Sequence, residues 1–113
     1  MAVIQAVVSY PQKHIMQVLW EGLANGDTGS WENVARHGDK TVQMLGTFSS
    51  GTLTMQGSND GGTTAAPVTD PQGNNIAKTA AALEAVLENP RAIRPSLAGG
   101  SGGDVDVYLI CKA

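Results

Sequence analysis

Residues 42 to 61, VQMLGTFSSGTLTMQGSNDG, constrain the fold more than any other part of the chain. Val42, Met44 and Phe48 alternate with Gln43, Leu45 and Thr47, and Leu53 and Met55 alternate with Thr52, Thr54 and Gln56. A period of two belongs to extended strands with one face buried. Ser49-Ser50-Gly51 between the runs predicts a hairpin connection. Asn59-Asp60-Gly61-Gly62 predicts a second turn, because these residues accept positive φ.

The same period returns over Asp104–Lys112, with Val105, Val107, Leu109 and Cys111 on the inward parity and Asp106, Tyr108 and Lys112 outward. Gly29 to Val34, Ala66 to Thr69 and Ala92 to Leu97 read as further short strands, with Pro95 marking an edge strand or a bulge. Lys13 to Leu23 is apolar on both parities, Ile15 and Leu19 on one and Met16, Val18 and Trp20 on the other. That pattern predicts a strand covered on both sides, or a short helix. Turns are expected at Asn25-Gly26-Asp27 and at Asp70-Pro71-Gln72-Gly73, and a flexible loop at Ala98 to Gly103. Ile76 to Glu88 has the composition of a helix, with Thr79 as N-cap and Leu83, Val86 and Leu87 on one stripe. Its all-strand surroundings favour strand plus turn.

These readings give an all-β chain: a single antiparallel β-sandwich or jelly roll of about six to eight short strands. Residues 1–12 form an extended N-terminal arm or edge strand, and residues 13–113 the sandwich domain. A chain of 113 residues fits one domain. With one Phe, two Tyr and two Trp, its core must be built from aliphatic side chains and Met, which invites further burial against another surface.

Composition excludes several functions. The seven basic residues are scattered and the net charge is −3, so no footprint for nucleic acid exists. No apolar run approaches membrane-spanning length, and MAVIQAVV lacks the basic start of a signal peptide. We therefore expect no membrane partner and synthesis in a cytoplasm. The lone Cys111 forms no intramolecular disulfide and sits where a small buried hydrophobe belongs. His14 and His37 lack metal-ligand spacing, and Asp60, Asp70, Asp104 and Asp106 lie in or beside turns, where carboxylates cap backbone amides. AGGSGG precedes a strand, not a phosphate-binding helix, and no serine has a GxSxG setting. We expect neither catalytic residues, nor a metal, nor a cofactor: the chain does not read as an enzyme.

The ordered set LGTFSSGTLTMQGSNDGG, TDPQGN, RAIRPSLAGGSG and DVDVYLICKA, about two thirds of the chain, resembles small virion proteins of tailed bacteriophages. The same arrangement resembles the discoidin-like jelly roll, although Gly62-Thr63-Thr64 stands where that family carries an aromatic after its SNDG turn, and the paired cysteines of secreted members are missing. The phage resemblance implies a capsid cement or decoration protein, often a homotrimer, that sits on the virion surface and bridges neighbouring major capsid subunits. A tail or head-fibre component and a carbohydrate-binding module are the alternatives. The candidate partner-binding residues are Val3, Ile4, Val7, Val8 and Tyr10 in the arm, suited to strand addition, together with Trp20 and Trp31. Burial in an aromatic-poor core is the simpler expectation for both tryptophans. Exposure would make either one a subunit contact or a platform for a sugar ring.

Overall fold

A computed structural model describes residues 2–112. They form two packed β-sheets, with no helix among the described residues. Seven strands have five residues or more: β2 (Val7–Gln12), β3 (Ile15–Leu23), β6 (Asp39–Thr47), β7 (Thr52–Ser58), β10 (Ala82–Val86), β11 (Ala92–Ala98) and β12 (Asp104–Lys112). Five have two residues: β1 (Val3–Ile4), β4 (Thr28–Gly29), β5 (Glu32–Asn33), β8 (Ala66–Pro67) and β9 (Ala77–Lys78). One sheet runs β1-β4-β11-β7-β8, with β5 also on β11 and β9 on β7; the other runs β10-β6-β12-β3-β2. Among the described residues all strand pairings are antiparallel except β1 with β4, a short parallel exception to the expected architecture.

Alternation builds the core as the sequence implies. β12 buries Val105, Val107, Leu109 and Cys111, and β6 buries Val42 and Met44. β3 contributes Met16, Val18 and Trp20, facing Leu53 and Met55 of β7 and Ile93 and Leu97 of β11. Trp20 is fully buried, and its Nε1–H donates to the Ser30 carbonyl at 3.0 Å. Removing a side chain of this size from water contributes about 5 kcal/mol. Gly29 makes room for it, because a Cβ there would lie 2.5 Å from both Trp20 Cδ1 and Pro95 Cδ.

Three expectations need correction. β6 and β7 are not a hairpin: they belong to different sheets, and residues 48–51 carry the chain between them. Phe48 is buried at this crossing, and Ser49 and Ser50 both take left-handed φ, 48° and 66°, which turns the chain over into the second layer. The tight hairpin is β2–β3, where Lys13-His14 closes a two-residue loop with His14 at φ 68°. Second, Pro95 lies on an interior strand, β11. Leu97 N–H donates to Asp27 on the β4 side, so the alternating residue 95 also faces that side, where the neighbour is interrupted between β4 and β5. The missing donor therefore breaks no ladder bond. Third, the glycine loop after β11 is tied down. Asn25 Nδ2 donates to the Phe48 and Gly99 carbonyls at 3.1 and 2.7 Å, and Gly103 N–H donates to Asn25 Oδ1 at 2.6 Å.

Ile76 to Glu88 is strand plus turn, supplying β9 and β10. These two strands lie on opposite sheets, and Lys78 and Glu84 close the side of the sandwich with an ion pair at 3.0 Å.

Candidate interaction surface

Residues 2–12 follow the domain instead of leaving it, so the edge strand, not the departing arm, is what forms. β1 joins one sheet and β2 the other, with Gln5 and Ala6 crossing between them. Asp27 anchors the start: its carboxylate accepts from the Ala2 and Ala24 N–H groups, each at 2.9 Å. Thr28 and Ser30 N–H donate to the Ala2 and Ile4 carbonyls. Ile4 is half-buried against the core, whereas Val3, Val7, Val8 and Tyr10 are 58, 64, 41 and 66% exposed. Among the described residues β2 pairs only with β3, so its other side presents backbone groups that none of them pairs, interrupted by Pro11 and a register shift between Ser9 and Gln12.

The outer faces of the two sheets differ in chemistry. On the first, register aligns Arg94, Ser96 and Ala98 of β11 with Gln56, Thr54 and Thr52 of β7, a polar face. On the second, Val7, Leu19, Tyr108, Gln43 and Leu83 form one row across all five strands. A second row is Ser9, Gln17, Ile110, Thr41 and Ala85. Neither row contains a charge. Leu83 is 64% exposed and Leu45, on the same face, 38%. Sequence reading passed over this face, although the two apolar parities of β3 signalled it: Met16, Val18 and Trp20 fill the core, while Ile15 and Leu19 remain half-buried on the outside.

The tryptophans divide. Trp20 lies wholly in the core and offers a partner nothing, which removes it from the candidate contact residues. Trp31 is half-buried, with the Arg94 guanidinium 4.5 Å from its ring centroid. Arg94 Nε also donates to Gln56 Oε1, so this arginine is committed to its own domain. Gly62 sits against the indole: at φ 93°, a Cβ there would lie 2.6 Å from Trp31 Nε1. This contact explains why a glycine follows the SNDG turn.

An open groove of about 470 Å³ lies beside that turn, lined by Ser58, Asp60, Pro67, Glu88 and Pro90 among others. Its carboxylates are internally occupied. Asp60 accepts from Thr64 N–H and the Ser58 hydroxyl, which hold its pKa down to about 2. Burial pushes the Glu88 carboxyl up, but hydrogen bonds from the Thr69 hydroxyl and N–H bring it below its ordinary value. Asp70 likewise accepts from Gln72 and Asn74 N–H within its turn. Among the described residues no three His, Cys, Asp or Glu side chains gather as metal ligands.

Lys40 is buried beneath the end of the second sheet, where Nζ donates to the His37 carbonyl at 3.0 Å and to Asn89 Oδ1 at 2.8 Å. Burial lowers its pKa against the opposing influence of Cys111 and Asp39. Cys111 is fully buried, and that burial pushes its thiol up to about 11. A thiol protonated across the neutral range is a packing group and a poor nucleophile.

No protein-family model matches the chain, and no curated protein matches it. Its fold recurs in the SPBc2 prophage-derived protein YomS, known from a crystal structure. The TM-score is 0.65 at 12% sequence identity, covering 93% of this chain and 100% of that one. At such identity the likeness establishes a shared fold: this is an all-β sandwich of a form also found in a prophage-derived protein.

Proposed function

We propose that the chain is a non-enzymatic structural protein of a tailed-phage particle, a cement or decoration protein that bridges neighbouring major capsid subunits as a homotrimer. It is made in the host cytoplasm and comes to lie on the capsid surface of the virion. The observation that carries this reading is β2, an apolar edge strand whose outer backbone groups are free. A capsid segment added there gains main-chain hydrogen bonds, while Val8 and Tyr10 supply apolar contact and Val3 extends the same margin of the domain. A partner that binds only the assembled lattice stabilises that lattice by mass action. The fold shared with a prophage-derived protein supports the same reading, and the scattered basic residues give nucleic acid no part in it.

Cosedimentation of the purified protein with undecorated capsids tests the proposal. Wild type is expected to pellet to saturation. Val8→Asp with Tyr10→Asp, both on exposed positions, is expected to weaken binding at least about tenfold, since a charge stripped of water at an interface costs more than the roughly 1.4 kcal/mol that a decade represents. Wild type remaining in the supernatant at every capsid concentration would refute the reading.

A further inference from the structure

We propose that the outer face of the five-stranded sheet is the surface on which one copy of this chain packs against another, with Leu19 and Tyr108 at its centre and Leu83 at its β10 edge. This rests on the structural reading above and adds to it: a face that meets its twin is a two-fold contact, so it pairs two copies and is separate from the three-fold contact of the proposed homotrimer.

The two sheets provide an internal comparison. A sheet face that meets water is polar on its outward parity, and the outer face of the first sheet, with Thr52, Thr54, Gln56, Arg94 and Ser96, follows that rule. The second sheet does not. Its central row is apolar or aromatic at four of five positions, and the next row adds Ile110 and Ala85. β3 has the pattern of a strand covered on both sides, yet the folded chain covers only one. The second cover must come from outside.

Charge and area select the occupant. The chain carries −3 overall, so two copies meet at least cost where no charges face one another. The two central rows meet that condition: no carboxylate or ammonium loses its water when the face meets its twin. Gln43, beside Tyr108, has both a donor and an acceptor and can pair with a polar group of the facing copy. The nearest charges sit at the ends of the face, Asp106 beside Leu45 with exposed Glu21 at one and Lys112 opposite Asp39 at the other. Three central strands of nine residues and five strands across give roughly 30 Å by 24 Å, or about 600 Å² in projection once the shorter edge strands are allowed for. That approaches the roughly 800 Å² per partner of a stable interface, and Tyr is a residue such interfaces favour.

Sedimentation velocity and native mass spectrometry over about a hundredfold range of concentration test the assignment, since self-association follows mass action. Wild type is expected at an even multiple of 11.7 kDa. Tyr108→Glu and Leu83→Gln are expected to weaken this contact at least tenfold, shifting the population to half the wild-type mass, whereas Thr54→Glu on the opposite sheet leaves the oligomer unchanged. Leu83 is exposed on an edge strand, so its replacement leaves the core intact and keeps the test valid if the Tyr108 variant misfolds. Wild type at single-chain mass throughout, or an oligomer indifferent to both face variants, overturns the proposal. Capsid cosedimentation of wild type separates the two readings: binding without self-association removes this surface and leaves the capsid role standing.

Discussion

Replacing Asn25 with Ala removes the side chain that ties the inter-sheet crossing after β6 to the glycine loop before β12. Three hydrogen bonds are lost: two donated by Nδ2 to the Phe48 and Gly99 carbonyls, and one accepted by Oδ1 from Gly103 N–H. Each is worth about 1 kcal/mol net, and because the site is partly open, water recovers some of the carbonyl solvation, so the expected loss is about 2 kcal/mol. For a domain of this size that lowers Tm by about 8 °C. Asn25→Asp keeps the acceptor for Gly103, loses both donors and sets a carboxylate against two carbonyls, so it should destabilise at least as much. Urea unfolding followed by far-UV circular dichroism measures both variants. A loss below about 0.5 kcal/mol for Asn25→Ala, with an unchanged denaturant slope, would show that the loops are held by something else.

Two further outcomes follow from the interior. The folded thiol of Cys111 has its pKa raised from 9.0 to about 11, so the folded chain keeps a proton that the unfolded chain releases. The associated stability is complete below pH 9 and is lost as pH rises through 11, about 2 to 3 kcal/mol in all. Urea midpoints at both ends of that window should converge for Cys111→Val relative to wild type, and an equal pH dependence in the two proteins would sink the assignment. Gly62→Ala combines a left-handed φ with a Cβ 2.6 Å from Trp31 Nε1, and should cost about 2 kcal/mol in thermal unfolding while shifting Trp31 fluorescence. An unshifted spectrum and an unchanged Tm would mean that the indole does not rest there.

What the sequence made legible was faces, and what it hid was neighbours. Asp104–Lys112 could be read almost residue by residue because alternation alone decides which side chains turn inward. The same alternation identified β6 and β7 but not their separation into two sheets, since a period of two says nothing about the strand alongside. That outcome depends on Phe48 entering the core and two serines turning left-handed after it. Asn25 was readable as a turn residue, yet its importance comes from contacts to residues 48, 99 and 103, which no local pattern connects. Trp31 had no periodic signal, and its partner Arg94 lies far off in sequence. The apolar outer face was half visible: the second parity of β3 announced it, but Val7, Tyr108 and Leu83 join that parity only once the strand order is known.

The central claim is that this protein works by occupying a surface and holding assembled subunits together. Quantitative mass spectrometry of phage particles purified from a lysate that contains the chain tests this most directly. The account predicts that the chain copurifies with intact heads in a fixed ratio to the major capsid protein and is released when the lattice is dismantled. Particles free of the chain, with all of it recovered in the soluble lysate, would contradict the account.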